Sequence, residues 1–150
     1  MRIVLSLSLV VIFLSGCAGA VTQTGYIRKD GFISDSQYQL SVTGIPDSRS
    51  QSLFAQRESS QINAYQNAKN IFFRVLRDEM ISFSPERKNE IETSTEISLF
   101  LESLYSTAKE TFTYYNSDGK FVLVISVTAD GLKSQLYSKS KAVNSAGGNQ

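Results

Sequence analysis

The stretch KETFTYYNSDGKFVLVISVTADG, residues 109–131, carries the strongest structural signal in the chain. Residues 111–115 are strand formers, and residues 121–127 form an apolar run rich in β-branched side chains. Between the two runs, residues 116–120 contain Asp-Gly, a pair that readily adopts the positive φ angles of tight turns. The stretch therefore predicts an antiparallel hairpin, and the fold has to supply a sheet around it.

The same turn has an alternative interpretation as a calcium-binding loop, because Asn116 and Asp118 could offer oxygen ligands. Too few further oxygen ligands follow at the required spacing, and the charge of Lys120 would oppose a cation. The hairpin is the better interpretation, and we predict no metal site.

The sequence before the hairpin changes between two periodicities. Residues 37–43 alternate apolar and polar side chains, which predicts a half-buried strand that ends at Gly44. Residues 50–80 carry apolar side chains at steps of three and four, the pattern of an amphipathic helix. A second helix is predicted up to residue 106, with Ser84 as its N-cap and Pro85 at its first position.

The N-terminus has the pattern of an export signal. Arg2 supplies a positive charge, and residues 3–14 form an apolar run relieved only by Ser6 and Ser8. As a helix this run would be about 18 Å long, well short of the roughly 30 Å of a bilayer core. It predicts a signal peptide that is removed after export.

The next residues, Leu14-Ser15-Gly16-Cys17, closely resemble the lipobox of bacterial lipoproteins. The resemblance implies that a dedicated signal peptidase recognises Leu14, Ser15 and Gly16 and cuts before Cys17. It also implies that the Cys17 sulfur carries diacylglycerol and that the new amino group is acylated. Two or three acyl chains anchor a protein stably to a membrane without spanning it.

The residue after the cysteine is Ala18, where the sorting rule of enterobacterial lipoproteins places Asp for retention at the inner membrane. The resemblance therefore implies the outer membrane, with the domain facing the periplasm or the cell surface. The alternative is a signal peptide that is cut elsewhere, at Ala18 or Ala20, which would leave Cys17 as an ordinary buried cysteine.

The composition excludes most familiar catalytic centres. The chain has no histidine, and Cys17 is its only cysteine. His-based triads, thiol catalysis, His or Cys metal sites and disulfides are therefore excluded once Cys17 carries lipid. Glu92 and Glu96 would share a helix face near Lys88, which favours a solvated surface over a catalytic pair. We predict no catalytic residue, cofactor or metal.

The charge balance indicates which partners to expect. The 15 basic and 14 acidic residues become equal in number when Arg2 leaves with the signal peptide. A nucleic-acid-binding protein normally shows an excess or cluster of positive charge, so no nucleic acid partner is predicted.

Aromatic residues of the hairpin offer the best candidate for an interaction surface. Phe112 and Tyr114 alternate onto one strand face and are predicted to be core residues. Tyr115 points the other way, and tyrosine is enriched at interfaces, where one end of the ring is buried and the other wet. Tyr115 is therefore the candidate interaction residue.

The domain also resembles the small bacterial lipoproteins typified by the twenty-kilodalton Helicobacter lipoprotein, and the N-terminal domain of the flagellar H-ring assembly protein. The matching positions are Val42-Thr43-Gly44 after the first strand, Ala55-Gln56-Arg57 at the start of the long helix, Ala64 and Ala68 along it, and the hairpin at 115–127. The resemblance implies helices packed on one face of an antiparallel sheet. It implies no catalysis, because a fold alone does not assign a function.

Together these patterns predict a single α+β domain, with two long helices packed on one face of a small antiparallel sheet in the order strand, helix, helix, hairpin. We expect a signal peptide at 1–16, the lipidated cysteine and a tether at 17–35, the domain at 36–138 and a flexible tail at 139–150. Tyr26-Ile27 and Phe32-Ile33 could add a short edge strand, which would shorten the tether. Asp130 is predicted to cap a final short helix.

The function expected from the sequence is that of a non-enzymatic, membrane-anchored envelope lipoprotein that binds or scaffolds another envelope or appendage component. The alternative is a surface-exposed lipoprotein that binds a host or environmental ligand. Protease treatment of intact cells would separate the two, because only the surface-exposed form would be cleaved.

Overall fold

A computed structural model describes residues 30–143, so the predicted signal peptide and the lipidation motif at 14–17 lie outside the described residues. In chain order the elements are β1 (Gly31–Ser34), β2 (Gln37–Thr43), α1 (Leu53–Phe83), a 3-10 turn (Pro85–Arg87), α2 (Lys88–Thr93), α3 (Thr95–Ser106), β3 (Lys109–Tyr115), β4 (Phe121–Thr128) and α4 (Leu132–Ala142). The predicted single α+β domain with an antiparallel sheet is confirmed.

The sheet has the strand order β1-β2-β4-β3, and all neighbouring strands are antiparallel. β3 and β4 form the predicted hairpin, whose turn is closed by a hydrogen bond from the Asn116 N–H to the Lys120 carbonyl at 2.9 Å. Gly119 has a φ of +73° in this turn, a conformation that glycine adopts without strain. β2 and β4 are the two inner strands, and β4 is apolar along most of its length because its side chains are buried on both faces of the sheet.

α1 packs against β2 and β4 through a stripe of side chains that recur every four residues. The buried members of the stripe are Ser60, Ala64, Ala68, Phe72, Leu76 and Met80. Since a helix turns once in about 3.6 residues, a strict four-residue stripe winds slowly around the helix, as packing on a twisted sheet requires. Small side chains in the first half allow a close approach to the sheet, and large ones fill the core farther along.

The closest approach of α1 to the sheet is at Gly44, directly after β2. The buried Ser60 hydroxyl donates to the Gly44 carbonyl at 3.0 Å and accepts the Phe121 N–H at 2.8 Å. The Gly44 N–H in turn donates to the Phe121 carbonyl at 2.8 Å. These three residues, which we call the Ser60 joint, connect the end of β2, the start of β4 and the third turn of α1.

The core lies between α1 and the sheet and is closed by α3 and α4. Its members from these elements include Tyr38, Leu40, Val42, Leu123, Ile125, Val127, Leu101, Leu104, Leu132 and Leu136. The Tyr38 hydroxyl donates to a Glu79 carboxylate oxygen at 3.4 Å, and burial raises the pKa of Tyr38, with the Glu79 charge adding to the shift. The Tyr38 hydroxyl, at the margin of the core, thereby has a hydrogen-bond partner on α1.

The second predicted helix is divided into a 3-10 turn, α2 and α3, so the prediction of two long helices was wrong in this part. Ser94 adopts an extended backbone between α2 and α3, and its hydroxyl caps α3 by accepting the Ile97 N–H at 3.2 Å. Ser84 does occupy the N-cap position before Pro85, as predicted, but it begins the 3-10 turn, and its side chain makes no capping hydrogen bond. Its hydroxyl lies 3.0 Å from that of Ser140, and both residues are buried where α1 meets α4.

The folded part extends beyond the predicted domain bounds, 36–138, at both ends. β1 lies within the segment that was expected to be a tether, and α4 continues past residue 138 to Ala142. Ser140 and Val143 are buried. Asp130 does not cap α4, because Gly131, with a φ of +60°, occupies the N-cap position.

The Ser60 joint generates a prediction for Gly44→Ala. A Cβ at residue 44 would lie 1.8 Å from the Ser60 carbonyl oxygen, which is backbone and cannot rotate away. We expect a loss of at least about 3 kcal/mol in the free energy of unfolding, at the upper end for overpacked sites, or failure to fold. Urea denaturation followed by circular dichroism measures it, and a loss below about 0.5 kcal/mol, as at an ordinary surface site, would contradict the packing described.

Candidate interaction surface

Tyr115 lies at the end of β3, beside the first turns of α1. Its hydroxyl is 3.3 Å from the Gln61 side-chain oxygen, to which it donates a hydrogen bond. The Arg57 guanidinium carbon lies 5.3 Å from the centre of the Tyr115 ring, and the ring packs edge-on against Phe121 at 5.3 Å. Contacts on these sides hold the ring in one orientation while 39 % of the residue stays exposed.

The first two turns of α1 extend beyond its buried stripe, which begins at Ser60. Ser52 starts the helix, and its hydroxyl accepts the Ala55 N–H at 3.1 Å. Leu53 and Phe54 are 59 % and 77 % exposed at this end of the helix. The sequence forms helix here because the cap and the following turns support it, although no core lies underneath.

Leu53 also approaches the hairpin, since a Cβ placed on Gly119 would lie 3.8 Å from its Cδ1 atom. The N-terminal end of α1 and the hairpin therefore form one continuous region. We call it the Tyr115 surface and define it as Leu53, Phe54, Arg57 and Tyr115. Arg57 has no carboxylate partner among residues 30–143, so its charge remains available. Aromatic and Arg side chains held in place are the residues that most often dominate protein interfaces.

The predicted exposure of Tyr115 is confirmed, but the prediction that Phe112 lies in the core was wrong. A bulge between Glu110 and Phe112 shifts the register of β3, and Phe112 is 44 % exposed. Tyr114 is half-buried, and its ring lies 5.6 Å from the Phe112 ring. Phe112 pairs with Val124 of β4, and Tyr114 pairs with Val122. These two valines alternate with the core residues of β4, so Phe112 and Tyr114 lie on the face of the sheet that the helices do not cover.

On the helix-covered side, Glu110 contacts α1 instead. The Tyr65 hydroxyl donates to a Glu110 carboxylate oxygen at 2.8 Å. This hydrogen bond raises the pKa of Tyr65, and partial burial and the Glu110 charge raise it further. The contact fixes the edge strand β3, and with it Tyr115, against the helix.

Sequence reasoning missed Leu53, Phe54 and Arg57 as parts of a surface. Phe54 was read as one of the apolar positions of the amphipathic helix. The four-residue spacing of the buried stripe could have distinguished Phe54 from the core positions. Continued backwards from Ser60, that spacing reaches Gln56 and does not include Leu53 or Phe54.

The glutamates considered as a carboxylate pair fall in different helices. The Glu92 carboxylate of α2 lies 3.9 Å from the Lys88 ammonium nitrogen of the same helix. Glu96 of α3 forms an ion pair with Lys139 of α4 at 2.5 Å. Among the described residues, no three His, Cys, Asp or Glu side chains are grouped closely enough to hold a metal ion. Both glutamates take part in exposed ion pairs.

No helix between residues 30 and 143 has both the length and the apolar character that crossing a membrane requires. Comparison of the chain with protein-family models, with characterised proteins and with solved structures finds no match.

Proposed function

We propose that the chain is a non-enzymatic, lipid-anchored protein of the bacterial outer membrane, and that its domain binds another envelope or appendage protein through the Tyr115 surface. The observation that carries this proposal is the exposure of Leu53 and Phe54 next to a fixed Tyr115 and to Arg57, which has no carboxylate partner within residues 30–143. Isolated exposed apolar residues are common, but a contiguous group with a polar rim is typical of a protein-binding site.

The lipobox-like leader supplies the second half of the proposal. Only 13 residues separate Cys17 from β1, a contour length of about 45 Å. A domain anchored through Cys17 would therefore stay close to the membrane surface. A partner in the same envelope layer would meet it at a high effective concentration, so a surface of modest area is sufficient for binding.

Anchoring predicts a specific effect of Cys17→Ser. A serine hydroxyl cannot form the thioether, so the variant should lose labelling by an alkyne fatty acid and move from the membrane to the soluble fraction. Metabolic labelling and cell fractionation measure both effects. Circular dichroism of the variant checks that the domain is folded, and retained labelling would contradict the lipidation proposal.

The Tyr115 surface predicts where a partner is contacted. A photo-crosslinking phenylalanine analogue at position 54 should form a covalent adduct with one envelope protein in living cells. The same analogue at position 99 is the matched control, because Leu99 is also exposed, at 66 %, and lies in α3. α3 contacts α1 at Lys69 and Arg77, about four turns or more along the helix from position 54.

The adduct formed from position 54 should be lost in Arg57→Glu, which replaces the cation beside Tyr115 with a shorter, acidic side chain. Mass spectrometry identifies the captured protein. Equal adducts from positions 54 and 99, or an adduct that persists in Arg57→Glu and Tyr115→Ser, would contradict the proposed surface. An adduct with a protein from outside the cell would favour the surface-exposed alternative.

A further inference from the structure

A polar pocket lies at the other end of β4 from the Tyr115 surface. Ser126 and Thr128 line it, and they alternate with Ile125 and Val127, whose side chains are in the core, so the pocket is on the sheet face that points away from α1. Its volume is about 350 Å³, and its described lining residues are Gln37, Thr107, Lys109, Thr111, Ser126 and Thr128. Each of these side chains is polar, and none is acidic.

Strand pairing brings these side chains together. Gln37 of β2 pairs with Thr128 of β4, and Lys109 of β3 pairs with Ser126 of β4. The pocket therefore extends across three adjacent strands, and its width is set by backbone hydrogen bonds and not by mobile side chains. This is a rigid support for a binding site.

The hydroxyl groups provide both donors and acceptors. Gln37 donates to the buried Ser126 hydroxyl at 2.9 Å, which leaves the Ser126 hydroxyl proton without an acceptor among the described residues. Thr107 and Thr111 donate to main-chain carbonyls at 2.8 and 3.2 Å, so their oxygen lone pairs can accept from a ligand. A ligand with both hydroxyl donors and oxygen acceptors would match this set.

Lys109 adds a positive charge for which the described part of the chain supplies no ion-pair partner. Six lysines of the described chain have a carboxylate or an aromatic ring as a partner: Lys69, Lys88, Lys120, Lys133, Lys139 and Lys141. Lys109 has neither partner within residues 30–143, and it lines a pocket without an acidic group. An oxyanion bound there would gain a charge-assisted hydrogen bond.

We propose that this pocket binds an oxyanion carried on a polyhydroxylated molecule, that is, the carboxylate of an acidic sugar. Lys109 and the Ser126 hydroxyl would bind the oxyanion, and the threonine and Gln37 side chains would hydrogen-bond the sugar hydroxyls. The volume is at the lower end of small-molecule sites, which suits a single sugar unit. The site is separate from the Tyr115 surface, so it adds a ligand to the proposed protein partner.

Saturation-transfer NMR on the lipidated protein in detergent tests the proposal, with glucuronate as the acidic probe and glucose as its neutral counterpart. We expect saturation transfer to glucuronate, and affinity for glucose lower by about tenfold or more, the factor that a charge-assisted hydrogen bond supplies. Lys109→Met should reduce glucuronate affinity by a similar factor. Lys88→Met, an exposed lysine on α2, is the matched control and should have no effect.

Thr128→Val removes a hydroxyl with little change in side-chain volume and should lower the affinity for both glucuronate and glucose. Thr128 and Lys109 are exposed, so the Thr128→Val and Lys109→Met variants should both fold. Thermal unfolding confirms that they do. The proposal is overturned if glucuronate shows no saturation transfer, if glucose and glucuronate bind equally, or if Lys109→Met binds as the unsubstituted protein does. If inorganic phosphate displaces glucuronate with equal affinity, the pocket recognises the oxyanion alone and the sugar part is wrong.

Discussion

One buried hydroxyl group, that of Ser60, holds the three main parts of this structure together. It donates to Gly44 at the end of β2 and accepts from Phe121 at the start of β4, while its own backbone belongs to α1. A helix packed on a sheet by apolar contacts alone can slide, because such contacts have no preferred direction. Two directed hydrogen bonds in a buried site fix both the height and the position of α1 along the strands.

The functional regions depend on this joint in different ways. Everything in α1 before residue 60 extends past the core, so the joint determines where Leu53, Phe54 and Arg57 stand relative to Tyr115. The hairpin that carries Tyr115 begins its second strand at Phe121, which is itself part of the joint. The polar pocket at the far end of β4 depends instead on strand pairing, so the two sites can differ in ligand and in sensitivity to substitution.

Much of the fold follows from local sequence patterns. The hairpin, the strand before Gly44 and the long helix were predictable because Asp-Gly turns, period-two alternation and three-to-four spacing are local signals. The division of the second helix at Ser94 follows from a local cap that the helical spacing did not reveal. The bulge beside Phe112 was not predictable, because it depends on how β3 pairs with β4, where the Thr111 hydroxyl donates to the Val124 carbonyl. Of the Tyr115 surface, the sequence predicted Tyr115 alone. Its other members are on α1 and come close to Tyr115 when α1 packs on the sheet. The hydroxyl contact of Ser84 was not predictable because its partner, Ser140, is 56 residues away.

Amide hydrogen exchange at Phe121, compared between the unsubstituted protein and Ser60→Ala, tests the central role of the joint most directly. The Phe121 N–H donates to the Ser60 hydroxyl, so its removal leaves this amide without its partner. We predict that Ser60→Ala accelerates exchange at Phe121 by roughly ten- to a hundredfold more than at Ile125 in the middle of β4, in line with the 1–3 kcal/mol cost of an unsatisfied buried group. Equal acceleration at Phe121 and Ile125, or none at Phe121, would contradict the account.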